Sequence, residues 1–139
     1  MENNRPVGLS KNAGFQIGAR RTLPIALEDA WQLLISKTGV EIWLGSVREL
    51  DFTKGEKYAL DDGCTGEVRV FSPNSHLRIT WQPPDWDRAS TIQVRVIPRG
   101  EKTMMAFHQE HLPGSKERTE RRAHFMAVLD RLEGIIEPA

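Results

Sequence analysis

The chain has 139 residues, enough for one domain with a core of its own. Its 19 basic and 19 acidic side chains cancel, which argues against a nucleic-acid surface or an electrostatically held membrane partner. Cys64 is the single cysteine, so no intrachain disulfide can form, and no apolar run approaches the ~20 residues of a membrane helix. A cytoplasmic location without membrane insertion is the expectation.

Residues 1–14 are polar, contain Pro6 and lack the apolar stretch of a signal peptide. They are expected to form a flexible tail, with 15–139 as one domain. Residues 15–23 alternate, Phe15, Ile17 and Ala19 on one side, and predict a strand ended by Pro24. Residues 26–36 have helical spacing, with Ala30, Trp31, Leu34 and Ile35 on one face and Glu28 and Asp29 in the first turn. Gly39 reads as a stop, and 40–45 as a short turn of helix or loop.

From 46 to 112 strands alternate with turn signals. Segments 46–52 and 54–60 come first, then Asp61-Asp62-Gly63 as a tight turn. Segment 64–71 places Val68 and Val70 together. Segment 76–81 does the same with Leu77, Ile79 and Trp81, and 91–97 with Ile92, Val94 and Val96. Between the last two, 82–90 is a proline-bearing loop that carries Trp86. In 103–112, parity puts Thr103, Met105, Phe107, Gln109 and His111 on one face and His108 and Glu110 on the other. Residues 115–137 predict a long helix, Ser115 as its N-cap, with Phe125, Val128, Leu129, Leu132 and Ile136 on one stripe.

Strands buried on one side only are the habit of an antiparallel sheet with a cover. The fold class is therefore α+β: a curved antiparallel sheet of six to seven strands around a long C-terminal helix, with one or two short helices after the first strand.

Five stretches in this order carry a resemblance. They are "RTLPIALEDAWQLL", "GVEIWLG", "KGEKYAL" with "GCTGEVRVFSPNSHLRITW", "KTMMAFHQEHLP" and "RTERRAHFMAVLDRL". Together they resemble the START-like, helix-grip superfamily (SRPBCC), in the branch named after the C-terminal domain of the activator of the heat-shock protein 90 ATPase. The resemblance covers about residues 15–137. It implies a helix-grip fold, a stress-response setting by name, and a chaperone as one conceivable partner. Three positions depart from the pattern: Gln109 and Arg121 stand where relatives often have His, and His124-Phe125 where they commonly have Gly-Trp.

The histidines His108, His111 and His124 do not have metal spacing, since 108 and 111 leave a strand on opposite faces and 124 lies on a helix. No metal, cofactor or catalytic residue is expected. Cys64 lacks a visible activating neighbour, no buried acid–base pair is apparent, and an aromatase/cyclase-like enzyme ranks last. The first expectation is non-catalytic binding of a small hydrophobic or amphipathic ligand between sheet and helix. Its walls would be Trp43, Trp81, Val94, Met105, Phe107, Gln109, Phe125 and Leu129, with polar help from Gln109 and from Arg95 or Thr103. The second is a protein-interaction module partnering a heat-shock protein 90 homologue. Trp86 is expected as a lid, a partner contact or a packing residue, and open strand edges suggest a homodimer.

Overall fold

In the computed structural model of the chain, the described residues are 9–10 and 14–137. Seven strands form one antiparallel sheet: β1 (Leu9–Ser10), β2 (Gly14–Leu23), β3 (Lys57–Ala59), β4 (Thr65–Ser72), β5 (His76–Trp81), β6 (Ser90–Arg99) and β7 (Lys102–Leu112). Their order across the sheet is β1-β2-β7-β6-β5-β4-β3. Helices α1 (Leu27–Ile35) and α2 (Lys37–Trp43) fill the connection from β2 to β3, and α3 (Ser115–Ile136) follows β7. No helix among the described residues is long and apolar enough to cross a membrane. Of residues 1–14, Leu9–Ser10 pair as an edge strand with Gly14 and Phe15, while 1–8 and 11–13 lie outside the described residues.

Alternation in the sequence becomes one-sided burial. Leu77, Ile79 and Trp81 of β5, Ile92, Val94 and Val96 of β6, and Met105 and Phe107 of β7 all face inward and are buried. Onto them α3 lays Phe125, Val128, Leu129 and Leu132. Each large apolar side chain so buried contributes about 1.5–3 kcal/mol. At 1.5 Å per residue the helix is about 33 Å long, enough to span the sheet.

Two slips move residues off the face that parity assigns. The backbone at His111 is left-handed (φ 65°), and the β2–β7 register shifts between Phe15 and Ile17. Leu112 therefore turns inward, 3% exposed, and His111, expected beside Gln109, is left half-exposed. In β4 the register shifts between Val68 and Val70. Val68 stays buried, but Phe71 rather than Val70 packs inward, 5.6 Å from Trp31 and 5.7 Å from Phe52 between ring centroids.

The helix boundaries also differ from expectation. The break falls at Ser36, whose Oγ accepts from the Gly39 N–H (3.1 Å) and donates to the Leu33 carbonyl (2.6 Å). Gly39 is not a stop; it lies inside α2, where a Cβ would sit 1.9 Å from the Leu33 oxygen. Segment 46–52 is irregular apart from one bridge, Val47 to Leu60. Ser115 is the first helical residue, and the cap position is Gly114, with no side-chain bond.

Candidate functional site

All eight residues expected to line a ligand site meet at the seam between sheet and α3. Trp43, Val94, Met105, Gln109, Phe125 and Leu129 are 0% exposed, Phe107 is 1% and Trp81 is 7%. They belong to one packed core rather than the wall of an open chamber. Phe107 stacks on Phe125 (4.9 Å) and tilts against Trp43 (6.5 Å). The Trp43 Nε1 donates to the Leu34 carbonyl at 2.8 Å. Thr103 is buried, but its Oγ1 donates to the Ile25 carbonyl, 2.8 Å away. Arg95 pairs across the sheet with His76 on the outer face, so neither it nor Thr103 supplies a polar group to the seam.

What does sit in the apolar seam is a chain of polar groups. Arg121 Nε donates to Gln109 Oε1, Gln109 Nε2 donates to Ser90 Oγ, and Ser90 Oγ donates to the Trp81 carbonyl, each at 2.8 Å. The Arg121 guanidinium lies 4.0 Å from the Trp81 ring centroid and 5.2 Å from that of Phe125. Burial pushes its pKa down to about 10, with Cys64, Tyr58 and Asp62 acting in the other direction. Two donors here are buried without a hydrogen-bond partner among the described residues: Arg121 Nη2 and Trp81 Nε1. Buried polar groups are ordinarily satisfied, so two orphans beside one ring are unusual.

Arg121 and Ser90 were not among the expected site residues. Ser90 carries no sequence signal. Arg121 does: it stands one turn before Phe125 and continues the 125-128-129-132 stripe, so a charge occupies a core-facing position.

The other candidates are dispersed. His108 Nε2 bonds Gln16 Oε1 (2.9 Å), and His124 is half-buried with Nε2 at 3.0 Å from the Trp43 carbonyl. Among the described residues no cluster of His, Cys, Asp and Glu could hold a metal. Burial, aided by Asp62, pushes the Cys64 thiol up to about 12, which leaves it an unreactive thiol. Tyr58 donates to the Thr80 carbonyl; Gly66 allows this approach, since a Cβ there would lie 1.9 Å from the same oxygen.

Trp86 packs edge-on against Trp81, 5.3 Å between centroids and 86° between planes. On its other side it lines a cleft of about 600 Å³, together with Arg88, His111, Leu112, Pro113 and Glu117. A hollow of about 810 Å³ on the outer sheet face is walled by Lys54, Glu67, Arg69 and Arg78. None of the eight seam residues lines either space.

A family model described as Activator of Hsp90 ATPase homolog 1-like protein matches residues 24–137. Among solved structures, CalU16 from Micromonospora echinospora is similar at TM-score 0.77 and 19% identity, over 92% of this chain and 81% of that one. The protein MLL2253 from Mesorhizobium loti follows at TM-score 0.73 and 20% identity, over 88% and 96%. The Aha1 dimer from Colwellia psychrerythraea gives TM-score 0.73 and 14% identity, over 88% and 96%. At these identities the likeness is one of fold. No curated protein matches the chain.

Proposed function

Because the chain belongs to the Activator of Hsp90 ATPase homolog 1-like family, we propose that it binds a small amphipathic molecule, without turnover, in the seam between its sheet and α3. The observation that carries this reading is the polar chain Arg121–Gln109–Ser90 inside an otherwise apolar seam. Arg121 is half-buried, but its Nη2 is fully enclosed, and among the described residues no carboxylate lies within ion-pair distance of it, which is a cost to the fold. A fold optimised for stability alone would place an apolar residue there. Apolar walls with a few fixed polar groups are the make-up of small-molecule sites.

The seam is closed by its own side chains, so occupancy requires an opening. The 82–89 loop is the natural place, because Trp86 lies between the outer cleft and Trp81. Catalysis has less support: among the described residues the buried polar side chains are Ser90, Thr103 and Gln109, with no carboxylate to act as acid or base.

Native mass spectrometry of the intact chain with lipids and aromatic metabolites tests the reading. A retained ligand at one-to-one stoichiometry supports it. A chain that holds none, and whose seam stays inaccessible to all of them, sinks it.

A second reading has the family description behind it: a protein-interaction module engaging a heat-shock protein 90 homologue. It predicts that the chain alters the ATPase turnover of that chaperone. Unchanged turnover together with no co-purification removes it.

A further inference from the structure

We propose that the ligand of this seam carries a single carboxylate, received by Arg121 Nη2 and Trp81 Nε1. The inference rests on the binding reading above and specifies its chemistry. Both orphaned groups are donors, and they lie at one place, since the guanidinium covers the Trp81 ring at 4.0 Å. Trp81 is 7% exposed, and its Nε1 is itself enclosed and unbonded among the described residues.

The acceptors nearby are already engaged. Gln109 Oε1 takes the Arg121 Nε–H, Ser90 Oγ takes the Gln109 amide, and the Trp81 carbonyl takes the Ser90 hydroxyl. A ligand alcohol could meet only one of the two donors and would have to share an oxygen that already accepts a bond, while an amine would bring further donors and a charge like that of Arg121. A carboxylate is acceptor-only and offers two oxygens to two neighbouring donors.

Charge sets the upper limit. One guanidinium neutralises one negative charge. Cys64, Tyr58 and Asp62 act on Arg121 without adding positive charge, and the His124 ring, which also feels Arg121, is held neutral by burial. A phosphate dianion would remain under-compensated in this seam. The aromatic and thioether surroundings, Phe107, Phe125 and Met105, suit an apolar or aromatic tail. The class is therefore a hydrophobic monocarboxylic acid.

The test uses matched probes with the full chain at neutral pH: decanoic acid, decan-1-ol and decylamine, and 2-naphthoic acid against 2-naphthylmethanol. Binding is read by calorimetry and tryptophan fluorescence. In at least one series the acid should bind tenfold or more tighter than its alcohol, from one charge-assisted pair of bonds, and the amine weakest. Trp81→Phe keeps an aromatic ring and removes the N–H; Arg121→Met removes the charge and keeps an unbranched apolar stem. Each should bring acid and alcohol to within about threefold, without weakening the alcohol correspondingly. Thermal unfolding checks that both variants fold, and Trp81→Phe carries the test if Arg121→Met does not. Equal binding of acid and alcohol to the natural chain overturns the carboxylate while leaving the binding reading intact. So does a preference for the acid that survives both substitutions. If neither acid binds, this inference is overturned, and the native mass spectrometry above decides separately whether the seam holds any ligand.

Discussion

The Arg121 guanidinium sits 4.0 Å from the Trp81 ring centroid, with one of its nitrogens and the indole N–H both buried and unbonded among the described residues. Charge, ring and orphaned donors occupy one spot on the stripe where α3 meets the sheet. Its energetic sign can be measured. Arg121→Met gives up one charge-assisted bond, about 1.5–3 kcal/mol, and a cation–π contact of up to about 2 kcal/mol. It recovers the burial cost of an ion without a carboxylate partner, several kcal/mol in effect. The expected outcome is a melting temperature unchanged or raised. A fall of more than about 10 °C, or roughly 3 kcal/mol in a chain of this size, would mark Arg121 as a structural residue.

His124 makes stability depend on pH. Burial holds its pKa below 6.5, and the positive charge of Arg121 adds to this; the bond to the Trp43 carbonyl opposes both. The neutral ring donates from Nε2 to that carbonyl and meets Phe125 edge-on at 4.8 Å. The unfolded chain therefore takes up this proton first. Its contribution is complete above the unfolded value of 6.5 and is lost as pH falls through the lowered folded value. His76 adds the same sign, through burial and through Arg95 and Arg78. Urea midpoints from about pH 5 to pH 7.5 should rise with pH, and His124→Gln, which keeps an N–H for Trp43, should flatten the rise. An unchanged slope would remove His124 from the account.

Cys64 should be silent in the native chain. With its thiol pushed up to about 12, the thiolate fraction at mildly alkaline pH is negligible. An aromatic disulfide reagent is expected to react at the rate of unfolding and to speed up in urea. Fast reaction without denaturant would reveal a local opening around β4.

The sheet and α3 were legible because period-two and period-3.6 patterns report one-sided burial directly. Leu77, Ile79 and Trp81 alternate in sequence and are buried in the fold; so are Ile92, Val94 and Val96. Parity failed where the backbone added a residue. His111 and Leu112 exchange faces at a left-handed position, and Phe71 displaces Val70 past a register shift. A bulge leaves no mark in a hydropathy pattern when both residues tolerate either face. That the eight expected residues are buried was legible because apolar stripes report burial, with Gln109 carried inward by strand parity. The polar chain was only half visible, since Ser90 is set by its pairing with Trp81 across β5 and β6. Arg121 could have been read as a charge on an apolar stripe.

Gly39 carries a sharp structural prediction. A Cβ at this position would meet the Leu33 carbonyl oxygen at 1.9 Å and the Leu34 Cα at 3.1 Å. Both are backbone atoms, so relief requires α1 and α2 to separate. That would disturb the Ser36 cap and the Trp43 bond to the Leu34 carbonyl. Gly39→Ala, which ordinarily favours a helix by about 1 kcal/mol, should here destabilise by several kcal/mol. Equilibrium unfolding in urea measures it, and a stabilised variant would contradict the close approach.

Trp86 should set the rate at which the seam is entered. Its ring is half-buried, touches Trp81 edge-on at 5.3 Å and lines the outer cleft. The loop is tied down by the Gln82 amide, which donates to the Trp86 carbonyl at 2.7 Å. Trp86→Ala removes the ring but leaves that backbone bond. If ligands pass here, association of decanoic acid followed by stopped-flow fluorescence should accelerate roughly tenfold, for a gating barrier of about 1.4 kcal/mol. Dissociation should accelerate alongside it, because a door that only gates raises both rates and leaves affinity nearly unchanged. A variant that loses affinity through dissociation alone would make Trp86 a wall of the site. One with neither rate changed would place the entrance elsewhere.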